Sequence, residues 1–371
     1  MDFRFNEEER AVQDLAKAIF KDLATPERLR AVEARGEARD PELWQALAKA
    51  ELLGVALRED VGGSDFGFMA LCLLLEQAGR RVVRAPLIPT LVAGAMAIDR
   101  FGTAEQRARL LPPVVRGERL LAAALAELAA EPGMAPTATA VRDGDAWRLE
   151  GEKLAAPALR DAHRVLVSAT TGPGAVGLFL VDPAARRVAL TQEQATDGEP
   201  LWDLSLQGAR VPAEDVLGDP DAGAAALAWV QARVAAATCA FQLGLASEAL
   251  VMTARYATER RQFDRPIATF QAVSQRTGDA WIDVEAMRLT TWQAAWRLSQ
   301  GLDATRELAI ARYWAAEGGH RVTAAAQHIH GGMGFDKDYP LHRYTLRAKR
   351  HELALGGAHA ALAELGRRRA G

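Results

Sequence analysis

Only two cysteines, Cys72 and Cys239, occur along the chain. Two thiols make no disulfide framework, which fits a reducing cytoplasm. An excess of one charge is also lacking: 45 Lys and Arg stand against 48 Asp and Glu, a formal net charge of −3. That balance gives no general attraction for nucleic acid or an anionic membrane. The basic run Arg367-Arg368-Arg369 reads as a solvated end. The start, Met1 to Glu9, is acidic and has no apolar signal core. No run approaches the ~20 apolar residues that span a bilayer; the richest, Leu120 to Leu128, is short. No internal repeat is found. What is present is a 49% hydrophobic, 25% charged composition in 371 residues, enough for two or three well-packed domains.

Patterning changes twice along the chain. Residues 1–118 read as helices. Asn6 and Glu9 have capping-box spacing, and Val12, Leu15, Ala16, Ile19 and Phe20 line one face. Asp40-Pro41 opens another helix with Leu43, Trp44 and Leu47 on its apolar side. Phe68 to Gly79 reads as a buried helix. Thr103 caps the next, which is expected to end near Pro112-Pro113. Residues 119–220 turn to short alternating runs: Asp143-Gly144-Asp145 signals a hairpin, and Arg164–Ala169, Val176–Val181, Val188–Thr191 and Leu204–Val211 are strand-like. A small β domain, barrel or two-sheet sandwich, is the economical reading. Residues 221–371 return to long helices, Ala224–Thr258, Gln271–Gln300 and Asp303–Ile329, joined by short loops as in an antiparallel bundle.

Two segments carry the chemistry. The first, Tyr256 to Gln271, reads Tyr-Ala-x-x-Arg-x-Gln-Phe-x-x-Pro-Ile-x-x-x-Gln. In it Arg260 offers a guanidinium fork suited to pyrophosphate, and Phe263 a ring suited to an adenosine. The second is Gln327-His328-Ile329-His330-Gly331-Gly332-Met333-Gly334-Phe335. It follows no strand, so it is no dinucleotide fingerprint of the Rossmann kind. His328 and His330, two apart on a helix, point to different faces and share no metal ion.

Together these segments resemble the acyl-CoA dehydrogenase signatures. Glu76-Gln77-Ala78-Gly79, Pro86-Leu87-Ile88-Pro89-Thr90, Phe101-Gly102-Thr103-Ala104-Glu105-Gln106 and Tyr339-Pro340-Leu341-His342-Arg343-Tyr344 extend the resemblance over nearly the whole chain. It implies an α+β fold of N-terminal helical domain, middle β domain and C-terminal four-helix bundle. It further implies FAD, an acyl-CoA thioester substrate, α,β-desaturation, tetramers built from dimers, and an electron-transferring flavoprotein as acceptor. The cofactor contacts it implies are Arg260, Gln262, Phe263, Gln271, His328, Gly331 and Gly332. One departure falls inside the first segment, where the usual glycine after phenylalanine is Asp264.

Desaturation needs a positioned base for the α-proton. The family's two base positions fall here on Leu355 and Val234, and a third used in some bacterial relatives falls on Phe241; none is acidic. Glu352, Glu248 and His351 are the nearby candidates for a relocated base. The flavin-side motifs are degraded too. Thr-Glu-Pro-x-x-Gly-Ser-Asp becomes Ala126 to Pro136 without its Gly-Ser-Asp. Gly-x-Lys-x-Trp-Ile-Thr/Ser becomes Gly151-Glu152-Lys153-Leu154-Ala155-Ala156-Pro157. Such selective loss resembles the non-catalytic subunit of the α2β2 acyl-CoA dehydrogenases of actinobacterial steroid side-chain degradation. Two other readings are a self-sufficient homo-oligomer with a relocated base, and a flavin-free acyl-CoA binder or scaffold that keeps only the fold.

Overall fold

The computed structural model describes residues 4–37, 39–128 and 135–370. Helices come first: α1 (Glu7–Leu23), α2 (Pro26–Ala34), α3 (Pro41–Lys49), α4 (Gly67–Arg80), then a π-wound stretch, Ile88–Ala95, leading into α5 (Met96–Phe101), and α6 (Ala104–Val115). The expected caps form. Asn6 Oδ1 accepts from the Glu9 amide at 2.7 Å while Glu9 Oε2 accepts from the Asn6 amide at 2.9 Å. Thr103 and Gln106 make a second reciprocal cap at the start of α6. That helix runs on through Pro112 and Pro113 to Val115, beyond the expected stop. The carbonyls of Pro112 and Pro113 still accept from Arg116, Glu118 and Arg119, so the prolines terminate the helix one turn late.

Eight strands follow: β1 (Leu120–Ala124), β2 (Thr139–Asp143), β3 (Ala146–Pro157), β4 (Ala162–Gly172), β5 (Ala175–Val181), β6 (Val188–Gln194), β7 (Pro200–Pro212) and β8 (Val216–Leu217). They form one hydrogen-bonded network in the order β6-β7-β3-β2-β4-β5-β8. β4 is its junction: Ala162–Val167 pair with β1 in parallel, and Thr170 pairs with β2. Inward residues from both arms, including Trp147, Leu149, Val165, Phe179, Leu204 and Val211, share a single apolar cluster. The expected hairpin joins β2 to β3 through Gly144, whose φ is +64°.

The remainder is helical. α7 (Ala224–Glu259) leads to a two-strand ribbon, β9 (Arg261–Gln262) and β10 (Arg265–Pro266), then α8 (Gln271–Ser299), α9 (Thr305–His330), α10 (Leu341–Ala354) and α11 (Gly357–Ala370). α7 is by composition apolar enough to cross a membrane, which the sequence reading did not anticipate; 72% of its apolar window is buried inside the protein. Leu243, Ala246 and Leu250 of α7 pack with Ala280, Val284 and Met287 of α8 and Val322 of α9. The chain falls into two compact units: Met1–Ala31, Phe68–Val83 and Ala235–Gly371 make one, and Val32–Gly67 with Arg84–Val234 the other.

Within the first unit α4 and α7 touch backbone to backbone. A Cβ on Gly79 would stand 2.0 Å from the Phe241 carbonyl oxygen, and one on Gly244 would stand 2.0 Å from that of Glu76. These glycines are required by close approach, not by backbone angle.

Candidate functional site

The ribbon after α7 is the most constrained part of the first signature. Gln262 pairs with Arg265 and Arg261 with Pro266, which leaves a two-residue turn of Phe263 and Asp264. Both lie in the left-handed region, with φ of 52° and 64°. Asp tolerates that region locally, so Asp264 does the backbone work of the family's glycine. Phe263 has no such tolerance, and about 1–2 kcal/mol of strain is the ordinary cost for a residue of its type. The turn leaves its ring 86% exposed, edge-on to Phe270. Arg260 stands at the end of α7, its amide donating to Tyr256 O at 2.8 Å and its carbonyl accepting from Ile267. Its guanidinium is exposed and has no partner among the described residues. Gln262 and Gln271 are exposed as well.

The second signature closes α9. Gly331 has φ 59° and ψ −134°, a conformation open in practice only to glycine. Gly332 differs: its φ is not left-handed, and beyond its two chain neighbours no atom of the described residues lies within 4 Å of where its Cβ would be. The chain's own packing therefore supplies no reason for glycine there. His328 is exposed and His330 buried, so the two imidazoles do stand on opposite sides of the helix.

The three positions that the resemblance gives to the base are all apolar. Leu355 is 4% exposed and packs on Cys239, Ala294, Ala311 and Ala315. Its carbonyl accepts from Arg312 at 2.7 Å. Phe241 is buried with His351 edge-on to its ring. Val234 is half-buried on α7. The two candidate acids are engaged elsewhere. Glu352 accepts from Lys349 Nζ at 2.6 Å and lies 3.6 Å from His320. Glu248 lies 3.9 Å from Arg80, whose other partner is Glu76 at 2.9 Å.

In the sheet, the surviving letters of the degraded motifs find one another. Lys153, fully buried, donates to the Glu127 carboxylate. Glu127 also accepts from Thr137 N, Thr137 Oγ1 and Ala138 N. Burial pushes the Glu127 carboxyl upward. The Lys153 ammonium and the Thr137 and Ala138 donors overcome it and hold the carboxyl at about 2. The polar groups here are thus spent on the sheet itself. Ala155 and Ala156 occupy the positions of the family's aromatic and following residue and offer no donor beyond the backbone. The Ala129 to Met134 part of the first degraded motif lies outside the described residues.

Family comparison agrees with this geometry at both ends of the chain. Residues 6–118 match the acyl-CoA dehydrogenase N-terminal domain, and residues 222–370 match the acyl-CoA dehydrogenase C-terminal domain. The chain belongs to the acyl-CoA dehydrogenase family. Members of that family are oxidoreductases acting on CH–CH bonds. Acyl-CoA dehydrogenase FadE27 of Mycobacterium tuberculosis is 38% identical over 99% of this chain and 98% of its own length. A Tcur3481–Tcur3483 steroid ACAD structure matches at 46% identity and TM-score 0.91, covering 98% of both chains. The ChsE4–ChsE5 complex from M. tuberculosis matches at 37% identity and TM-score 0.93, covering 100% of this chain and 99% of that one.

Within this acyl-CoA dehydrogenase, the sequence reading missed two groupings. One is the Glu127–Lys153 pair, 26 residues apart, which a search for flavin contacts passes over. The other is a ring cluster in which Tyr256 stacks on His330 at 4.3 Å between ring centres and Tyr339 closes against both. Each ring belongs to a signature segment already singled out, and that shared membership was the available signal.

Proposed function

We propose that this chain is the base-free subunit of a heteromeric acyl-CoA dehydrogenase, completing from its nucleotide side an FAD site whose flavin half and catalytic carboxylate belong to a second subunit. One contrast carries the reading. The Arg260 guanidinium, most of the Phe263 ring and the open side of Gly332 are presented outward, while Leu355 is packed in an apolar cluster. Exposed donors beside a glycine open on its outer side suit the pyrophosphate and adenosine end of FAD. The sheet, with its buried carboxylate already satisfied and alanines at Ala155 and Ala156, does not suit the ring end.

FAD, when bound, supplies the hydride acceptor for the β-carbon of an acyl-CoA thioester. This chain's share would be binding and orientation: Arg260 would neutralise phosphate charge, Phe263 would pack on the adenosine, and Gln262, Gln271 and His328 would line the approach. The α-proton goes to a carboxylate of the partner, because Leu355 and Val234 accept none. The related complexes named above support assembly with a second, different chain and a steroid-type acyl-CoA; the α2β2 arrangement is what the resemblance implies. An electron-transferring flavoprotein is the acceptor this family implies.

The chain expressed alone is expected to be colourless and inactive, and co-expressed with its partner dehydrogenase to give a yellow, active complex. Absorbance at the flavin bands together with subunit stoichiometry checks it; a yellow, active homo-oligomer of this chain alone refutes it. Glu352→Gln and Glu248→Gln in the complex are expected to leave turnover little changed, since Glu352 is already engaged by Lys349 and Glu248 faces Arg80. A loss of turnover with FAD retained would instead make that residue the base.

A further inference from the structure

The ring cluster beneath the nucleotide-side surface has a defined protonation state. His330 is 3% exposed. Its Nδ1 lies 2.8 Å from the Ala326 carbonyl oxygen and its Nε2 3.0 Å from the Tyr339 hydroxyl. A carbonyl only accepts, so Nδ1 carries the proton. In the neutral ring Nε2 then accepts, and Tyr339 donates to it. Tyr256 covers one face of the ring in a stack tilted by 23°. The Tyr339 backbone is fixed in turn, its carbonyl accepting from His342 Nδ1 at 2.8 Å.

This cluster connects the two halves of the exposed surface. His330 is the last residue of α9 and directly precedes Gly331, whose φ is positive. Tyr256 is one turn before Arg260 and accepts that residue's amide hydrogen. The relative placement of Arg260 and the Gly331-Gly332 turn is therefore set through one imidazole held on three sides. We infer that His330 is a positioning residue: as a neutral ring bonded to Ala326 and Tyr339 and stacked on Tyr256, it holds the guanidinium of Arg260 and the Gly331-Gly332 backbone in one geometry for capture of a nucleotide pyrophosphate. The inference rests on the functional reading above and adds to it a buried residue that is not among the contacts proposed there.

A charge on this ring is only partly compensated. The titratable groups facing it are Tyr256 from α7 and Tyr339 from the loop before α10. Arg255 and Glu259 act on Tyr339 and pair with each other at 2.9 Å. No carboxylate bonds to the imidazole among the described residues. Burial lowers the His330 pKa below the usual histidine value, and the bond to Ala326 opposes this in part. Protonation turns Nε2 into a donor, and the Tyr339 hydroxyl must then turn round to accept. With a folded pKa below the unfolded one, the stabilising effect is present above about pH 6.5 and fades as pH falls below it.

The test measures FAD retained by the co-purified complex from pH 8 to pH 5.5, with thermal unfolding of the full chain as a second readout. Wild type is expected to hold FAD up to about tenfold more weakly at pH 5.5 than at pH 8, the effect of one proton per pH unit. Tyr339→Phe, which removes the donor to Nε2, is expected to weaken retention severalfold at pH 8. His330→Phe keeps a stacked ring without a titrating nitrogen at this position, so its retention should be weaker at pH 8 and change less with pH than that of wild type. A wild-type profile as flat as that of His330→Phe, or Tyr339→Phe retaining FAD like wild type, overturns the inference. A colourless wild-type complex at pH 8 removes the functional reading instead. Unfolding of the chain alone then decides the positioning role, which is lost if wild type and His330→Phe fall equally in melting temperature between pH 7.5 and 5.5.

Discussion

Replacing Lys153 by Met is expected to cost this protein about 3–5 kcal/mol, the usual result of leaving one charge of a buried pair alone. Lys153 has no exposed surface and Glu127 only 2%. Met fills the volume of the lysine stem but leaves the Glu127 carboxylate without a cation, held among the described residues by the Thr137 and Ala138 donors. Urea or thermal unfolding measures the loss directly. The double variant Glu127→Gln/Lys153→Met should recover much of it, because the stranded charge is gone; a double variant as unstable as the sum of the singles would show that the pair does not interact. The pH arm follows from the sign of the shift. Glu127 titrates at about 2 in the folded chain, below its unfolded value near 4.3. Its contribution is therefore complete above about pH 4.3 and is lost as pH falls toward 2. Wild type should lose stability across that window more steeply than the double variant. The functional consequence is specific: remnants of a flavin-side motif persist here because the sheet needs them, so their presence says little about a flavin.

How much was legible follows from the range of each interaction. Caps and turns are local, and Asn6 with Glu9, Thr103 with Gln106, and the Gly144 turn all form where the residues are spaced for them. The α, β, α order follows from patterning over tens of residues, and the acyl-CoA dehydrogenase fold from the signatures. Asp264 looked like a departure, yet the turn needs only a residue that accepts positive φ, and Asp meets the need. What was hidden depends on long-range contact. Nothing local indicates that Lys153 is buried on Glu127, or that Tyr256, His330 and Tyr339 meet. The sheet's shape was also open between barrel and sandwich, because no local signal reveals that β4 serves different neighbours at its two ends. The candidate base residues show the same limit. Glu352 is three residues from Leu355 in sequence, but its carboxylate is drawn to Lys349 and His320 while the leucine packs inward.

The α4–α7 contact yields the second large effect. Gly244→Ala places a methyl group 2.0 Å from the Glu76 carbonyl oxygen and 2.8 Å from the Arg80 amide nitrogen. Both obstacles are backbone atoms of a helix, so no rotamer change relieves the clash and the helices must separate. Overpacking a close-packed interior ordinarily costs about 1–3 kcal/mol, and a backbone obstruction belongs at or above the upper end of that range. Alanine's higher helix propensity returns only about 1 kcal/mol. Gly79→Ala meets the Phe241 carbonyl oxygen at the same 2.0 Å and should cost a similar amount. The informative measurement is the double variant. One outward shift of α4 from α7 relieves both clashes, so the combined loss should fall short of the sum by about 1 kcal/mol or more, as expected for neighbours that share a displacement. Full additivity in urea unfolding would mean that each methyl is absorbed locally, and that the two glycines do not set the helix separation. The spacing matters beyond stability. Gln242, two residues before Gly244, is fully buried and bonds to the Ala348 carbonyl of α10 at 3.2 Å. A displaced α7 would strain a bond through which that helix holds α10, the helix that Leu355 caps.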